Sequence, residues 1–222
     1  MSVGEPIKGK NVIIGKNFNP GKYCIIGDNV ILGDNVTIGD FCKIDSDVVT
    51  GDNVRLGDYV KLKSGTRMGN NIDMADYCCT TGICYIGNDV NVRTRSTVSK
   101  GVILEDKVFI GAGVMMSHTK NVYHHRPTMP KQQLIARVNY GCIVGSHSNM
   151  MAGVEIGPDV IVGYNSNVVK SITEAGVYMG NPATRRFEVP KVWLIKEPDD
   201  YERHQFSKEM LEKYLPFYTE SQ

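Results

Sequence analysis

"GDNVILGDNVTIGDFCKI", Gly27 to Ile44, sets one six-residue pattern three times over. Each unit is a Gly-Asp pair, a third turn residue, and two core-forming residues flanking one outward residue. Core-forming residues at i and i+2 make a short strand of period two. The Gly-Asp-Asn trio supplies the turn, because Gly, Asn and Asp tolerate the left-handed backbone that a sharp corner demands.

Extended both ways, the six-residue step holds. From Ile14 to Met116 it visits eighteen positions, of which fifteen are apolar; Pro20, Thr50 and Thr80 are the exceptions. The column two residues earlier, Val12 to Val114, is apolar at sixteen of eighteen, failing at Thr66 and Ser96. Helical spacing fits nowhere in this stretch. Hexads that cannot bury their apolar face alone must stack into a solenoid, so the reading is an all-β parallel β-helix. Cys24, Cys42, Cys78, Cys84 and Cys142 take Val's inward place and read as small core residues rather than ligands or disulfides; Cys79 is out of column.

The register breaks after Met116 and is next evident at Val144. That predicts a β-helix domain over 1–172, interrupted by an excursion over 117–141, followed by a C-terminal extension over 173–222. A loop of that length in a regular repeat is a candidate functional element. In the extension, Phe206, Met210, Leu211 and Tyr214 repeat at helical spacing, predicting a short amphipathic helix that caps the last coil or docks on a neighbouring subunit.

The net charge of +1 gives no general reason to bind nucleic acid or an anionic membrane. No long apolar run or secretory leader is evident, so the expected setting is cytoplasmic, with no membrane partner. The excursion carries "SHTKNVYHHRP", Ser117–Pro127, with three of the five histidines. Neither i, i+4 helical spacing nor paired Cys ligands accompany them, so no metal is expected. Lys120 and Arg126 suit a diphosphate, and Arg93 and Arg95 of "NVRTR" add positive charge on the outer face.

The hexads resemble the left-handed β-helix, or hexapeptide-repeat, acyltransferase family over nearly all of 12–186. The resemblance implies a left-handed prism with three hexads per coil. It also implies a homotrimer with active sites between subunits, and acetyl-CoA as co-substrate. "GVILEDKVFIGAGV", Gly101–Val114, followed by a polar loop ending in Arg-Pro, is most similar to nucleotide-sugar N-acetyltransferases. These acetylate an amino group of UDP- or dTDP-linked sugars for surface polysaccharide. "IVGSHSNMMAGVEIGPDVIVGYNSNVVKSI", Ile143–Ile172, resembles galactoside and maltose O-acetyltransferases.

The relatives' catalytic histidine corresponds in place to His118, which makes His118 the candidate general base; an acceptor-binding role is the alternative. Asn121, His124, His125, Arg126, Arg93 and Arg95 are the candidate acceptor-binding residues. By motif match, Ser146, Gly163 and Tyr164 meet the pantetheine arm, while Lys170 and Arg185 lie near the adenine end. His147 aligns with an outward, non-catalytic position. The leading expectation is N-acetylation of a nucleotide-linked amino sugar. O-acetylation of a sugar or xenobiotic hydroxyl, and a non-catalytic scaffold, stay open.

Overall fold

In the computed structural model, which describes residues 5–218, the hexads form the rungs of a three-walled prism. Wall one stacks nine strands from Ile7–Lys8 to Asn167–Val168, and wall two eight from Ile13–Ile14 to Glu155–Ile156. Wall three has ten, from Asn19–Pro20 to Val177–Met179 with the antiparallel Thr184–Phe187 at its end. Parallel partners lie one coil apart, as in Ile7↔Ile25, Ile13↔Ile31 and Asn19↔Thr37, which is three hexads per coil. This is the expected left-handed parallel β-helix with one short helix near its C-terminal end. At about 4.8 Å per rung, wall one runs roughly 38 Å.

The corners show why the pattern is Gly-Asp-Asn. Asn17, Asn35, Asn53 and Asn71 have φ of 56–58°. Their amides form a ladder up one edge, each Nδ2 donating to the Oδ1 one coil on at 2.8–3.1 Å and ending on Asp89. The preceding Asp uses its carboxylate on the backbone below: the Lys16 N–H donates to Asp34 and the Asp34 N–H to Asp52, both at 2.7 Å. That carboxylate fills the space over the glycine one coil back. A Cβ on Gly33 would lie 2.4 Å from Asp52 Oδ1 and from the Gly51 carbonyl oxygen, so only glycine fits there.

Both inward columns form one continuous core, with Val30, Val36, Leu62, Val92, Leu104 and Val144 fully enclosed. Each such side chain contributes about 1.5–3 kcal/mol on burial. The polar exceptions mostly find partners: Thr66 Oγ1 reaches the Lys63 carbonyl at 2.7 Å and Thr80 Oγ1 at 2.8 Å, and Ser96 donates to the Gly111 carbonyl at 2.7 Å. Thr50 Oγ1 is buried without one. The five inward cysteines are free thiols. Cys42, Cys78 and Cys142 donate to the carbonyls of Gly57, Arg93 and Gly157 at 2.7–3.0 Å. Burial pushes Cys42, Cys84 and Cys142 up to about 12, which leaves them unreactive.

Two features depart from the sequence reading. The chain rejoins the prism at Ala136–Val138, earlier than the end of the expected 117–141 excursion, because this rung keeps inward Ala136 and Val138 but turns through Asn139-Tyr140-Gly141 instead of Gly-Asp-Asn. The solenoid also runs past 172: Ile172 bridges to Ile156, and Val177–Met179 pairs with Ile161–Val162 after a shortened corner.

Nor does the helix, Lys208–Tyr214, cap the last coil. After Thr184–Phe187 the tail runs back down the outside of wall two. The backbone N–H groups of Ile195 and Lys196 donate to Asp159, and the Tyr201 hydroxyl accepts from the Asp106 N–H at 3.0 Å. Phe206 and Leu215 bury against Ile83 and Ile103, and Tyr214 and Lys213 reach Asp47, both at 3.1 Å. The helix therefore closes the flank of wall two, covering apolar surface that the outward Tyr85 and Ile103 present there.

Candidate functional site

His118 leaves wall one at the edge between walls one and two, two residues beyond Met115–Met116. A two-stranded neck holds it: the His118 carbonyl accepts from the Leu134 N–H at 3.0 Å, Thr119 bridges Gln133 antiparallel, and the Lys120 N–H donates to the Gln132 carbonyl at 3.1 Å. Its side chain is half-buried. Burial first, and then the positive charge of Lys100 one coil below, hold its pKa beneath the ordinary histidine value. A neutral imidazole with a free lone pair is the form that accepts a proton. Lys100 escaped the sequence reading, although the 18-residue coil places it directly beneath His118.

Beyond the neck, Tyr123, His124, His125, Arg126, Met129 and Lys131 surround an open hollow of about 510 Å³. His124 and His125 lie edge to face with ring centroids 4.1 Å apart, and His125 sits at φ 53°. Arg126 Nη1 donates to the His124 carbonyl at 3.0 Å, so the guanidinium is fixed beside the two rings. Lys131 Nζ lies 5.3 Å from the Tyr123 ring centroid. Asn121 turns inward instead, donating to the Pro130 carbonyl at 3.3 Å and to Gln132 at 3.2 Å, where it closes the loop. Tyr123 and Lys131 were not foreseen, since the fold of the loop alone brings them to the hollow.

The other candidates gather at the opposite margin of wall one, the edge shared with wall three. Arg93, Arg95, Ser146, Gly163 and Tyr164 all stand on this edge, stacked on successive corners. Tyr23, Phe41, Tyr59 and Tyr77 climb it as a stack of rings 4.9–5.0 Å apart, and Arg95 continues the column 5.8 Å above the Tyr77 ring. Arg93 pairs with Asp73 at 3.3 Å, sharing it with Arg55. Lower on this edge Asp40 and Asp58 accept from backbone N–H groups, and above Asp76 the same column reads Thr94, Ala112, Ser146 and Tyr164. Ser146 Oγ takes over the acceptor role for the Ala112 N–H at 3.2 Å. The upper edge thus sheds its carboxylates where the arginines begin, a signal readable in the sequence as the end of the "GD" pairs on every third hexad.

Lys170 stands on the His118 edge, two rungs higher, and is exposed. Arg185 lies in the terminal hairpin of wall three, with Nη2 3.3 Å from the Ala175 carbonyl. The structure therefore groups His118, the hollow and Lys170 along one margin of wall one, and Ser146, Gly163, Tyr164, Arg93 and Arg95 along the other. One hexad separates the margins, at most about 20 Å.

Among known families, the one described as the GMPPB C-terminal domain matches residues 7–109. No curated protein matches the sequence. Among solved structures, the fold is similar to a mutant of AntD, an N-acyltransferase from Bacillus cereus in complex with dTDP and coenzyme A. Identity is 20%, with 73% of this chain and 85% of that chain covered and a TM-score of 0.53. It is also similar to a mutant GDP-perosamine N-acetyltransferase from Caulobacter crescentus in complex with CoA and GDP-perosamine (17% identity, 69% and 57% covered, TM-score 0.46). A third is UDP-N-acetylglucosamine acyltransferase from Campylobacter jejuni (21% identity, 83% and 71% covered, TM-score 0.45). Among the described residues, no helix is long and apolar enough to cross a membrane.

Proposed function

We propose that this chain is an acetyl-CoA-dependent N-acetyltransferase acting on the amino group of a nucleotide-linked sugar, in a cytoplasmic pathway to surface polysaccharide. The observation that carries this reading is the neck of the excursion. The long interruption of the coils presents a half-buried histidine, biased to its neutral form, at the base of a neck whose far end carries a basic and aromatic hollow. A stack built only as a scaffold has no use for that arrangement. The AntD complex supports the reading, since the same fold there holds dTDP and coenzyme A.

Transfer breaks the thioester C–S bond and forms a C–N bond. His118 takes the proton that the attacking amine releases and can return it to the departing thiolate, so charge and protons balance. The acceptor's phosphates would meet Arg126 and Lys131, and its base or sugar the rings of Tyr123, His124 and His125. Ser146, Gly163 and Tyr164 would hold the pantetheine arm. The residues fit that role: glycines at 145 and 163 keep the corner narrow, and its carboxylates give way to Arg93 and Arg95. Lys170 and Arg185 supply cations for the adenine end. With the two groups on opposite margins of wall one, a homotrimer completes the site by bringing a neighbour's Ser146–Tyr164 edge beside His118. The presence of a histidine at this position also favours a second reading, because a hydroxyl acceptor depends on a base more than an amine does; O-acetylation of the same sugar class follows from it.

His118→Ala is expected to lower kcat/KM about 10²- to 10⁴-fold toward UDP- or dTDP-amino sugars. Acetyl-CoA should still raise its melting temperature as it does the parent's. A loss below tenfold removes His118 as base, and the absence of an acetyl-CoA shift in the parent protein removes the transferase reading altogether. Lys100→Met, which deletes the positive charge beneath His118, should move the acid limb of the kcat/KM profile to higher pH. An unmoved limb would show that another group sets it.

A further inference from the structure

The tail that descends wall two does more than cover it: its last described residues join the neck that carries His118. The Gln133 N–H donates to the Phe217 carbonyl at 2.9 Å, and the Phe217 N–H returns to Gln133 Oε1 at 3.4 Å. Gln133 bridges Thr119 on one side and Tyr218 on the other, so the tail adds a third extended segment to the neck at this one residue. Gln133 is buried there. Lys131 Nζ lies 5.1 Å from the Phe217 ring centroid as well as over Tyr123, which ties the hollow to the same segment.

What fixes the tail lies far from the loop in sequence. Glu105 stands where the hexad pattern calls for glycine, and its carboxylate is wholly buried. It receives Arg137 Nη1, the Tyr201 hydroxyl at 3.0 Å and the His204 N–H at 3.2 Å, with His204 Nδ1 at 2.6 Å. Phe206 and Leu215 then insert beside Ile83 and Ile103, and Leu215 packs within 3.6 Å of the Cβ position of Gly101. A chain clamped at Tyr201–Phe206 and again at Leu215 delivers Phe217 to Gln133 in a set position.

We propose that the C-terminal strap, Tyr201–Tyr218, is a positioning element for the His118 loop, acting through the Gln133–Phe217 pairing. The inference rests on the acyltransferase reading for its kinetic consequence but not for its structural one. A neck of two strands is a marginal structure, whereas a third segment locked into a buried cluster holds the imidazole to within the tolerance that general-base chemistry needs. Gln133, Phe217, Leu215 and His204 touch no reacting atom in this account and act through the loop.

The test uses the full chain with His204→Ala and, separately, Leu215→Ser, each followed by hydrogen exchange and steady-state kinetics. Exchange across 117–135 should rise at least tenfold in both variants, while wall-one rungs from Ile25 to Leu62 keep their protection. Toward a nucleotide amino sugar, kcat should fall about 10- to 100-fold with KM for acetyl-CoA within twofold, the pattern of a misplaced base. Unchanged exchange in 117–135 while residues 201–215 lose protection overturns the proposal. So does a kcat equal to the parent's. If the parent itself neither binds acetyl-CoA nor turns over, the functional reading fails and the exchange result alone decides the strap's role. Should either variant unfold the coils, loss of protection at Ile25–Leu62 reveals it and the other variant carries the test.

Discussion

At Gly33 a Cβ would compete for one space with the Asp52 carboxylate and the Gly51 carbonyl of the next coil. The carboxylate that satisfies a backbone N–H one coil below occupies the position a Cβ would take, so Gly and Asp are required together, eighteen residues and one turn apart. Gly33→Ala should destabilise the chain by about 1–3 kcal/mol, seen as a lowered melting temperature. Adding Asp52→Ala should recover only the share of that loss due to the carboxylate, because the Gly51 carbonyl oxygen still lies 2.4 Å from the new methyl group. Strict additivity of the two changes would refute the pairing. This level was fully legible: the glycine, the aspartate and the φ-positive asparagine are read from chemistry alone. His118 was legible as a position but not as an environment, since its depressed pKa needs the burial and the Lys100 charge that only the stacked coils supply.

The elements were legible in proportion to how local their causes are. Each rung that carries the Gly-Asp corner depends on six residues and was found. The rung Ala136–Val138 was missed because its corner, Asn139-Tyr140-Gly141, lacks the Gly-Asp signal. The helix could be read from its 3.6-residue spacing, but its docking place could not, because that is decided by Glu105 a hundred residues earlier. The glutamate in a glycine column was no distinguishing sign, because Asp45, Lys63 and Arg93 also stand in that column. Burial alone would raise the Glu105 pKa, yet the hydrogen bonds from His204, the Arg137 charge and the Tyr201 hydroxyl together outweigh it and hold the carboxyl below its ordinary 4.5. A depressed folded value means that the stability Glu105 contributes is present above the ordinary carboxylate range and is lost as pH falls through the folded value. The strap should therefore loosen on acidification, followed by the NMR shifts of Tyr201, whose ring meets Tyr140 edge to face, and of His204, whose ring lies tilted against Tyr85. In Glu105→Gln the same shifts should lack that acid transition and already report a looser strap at neutral pH.

For the molecule as a whole, the chain's own tail covers wall two between Asp47 and Asp159, leaving Ile13 and Ile31 of its first rungs exposed, and the proposed contact with other copies falls to walls one and three and the edge between them. The proposed trimer predicts a solution mass of three times 24.6 kDa by analytical ultracentrifugation. It also predicts complementation. His118→Ala and Ser146→Trp, each inactive alone, should regain activity when co-refolded, because some interfaces then pair an intact His118 with an intact neighbouring edge. Failure of mixed trimers to regain any activity would place the whole site in one chain. The walls follow from the hexad order, but the covering of wall two was not legible from residue spacing, because it depends on the tail's long-range docking.

The rungs on either side of the excursion pair directly, Met115 with Asn149 and Met116 with Met150, as though the inserted residues were absent. The stack thus treats the loop as a cassette: its length and composition can change without retuning a single core contact, provided the neck still offers a strand edge to the tail. A protein built this way can exchange one acceptor for another by replacing a surface segment while inheriting its rigidity intact. The fixed coils bear the cost of folding, and the freedom to vary is confined to the segment that the proposed function assigns to the acceptor.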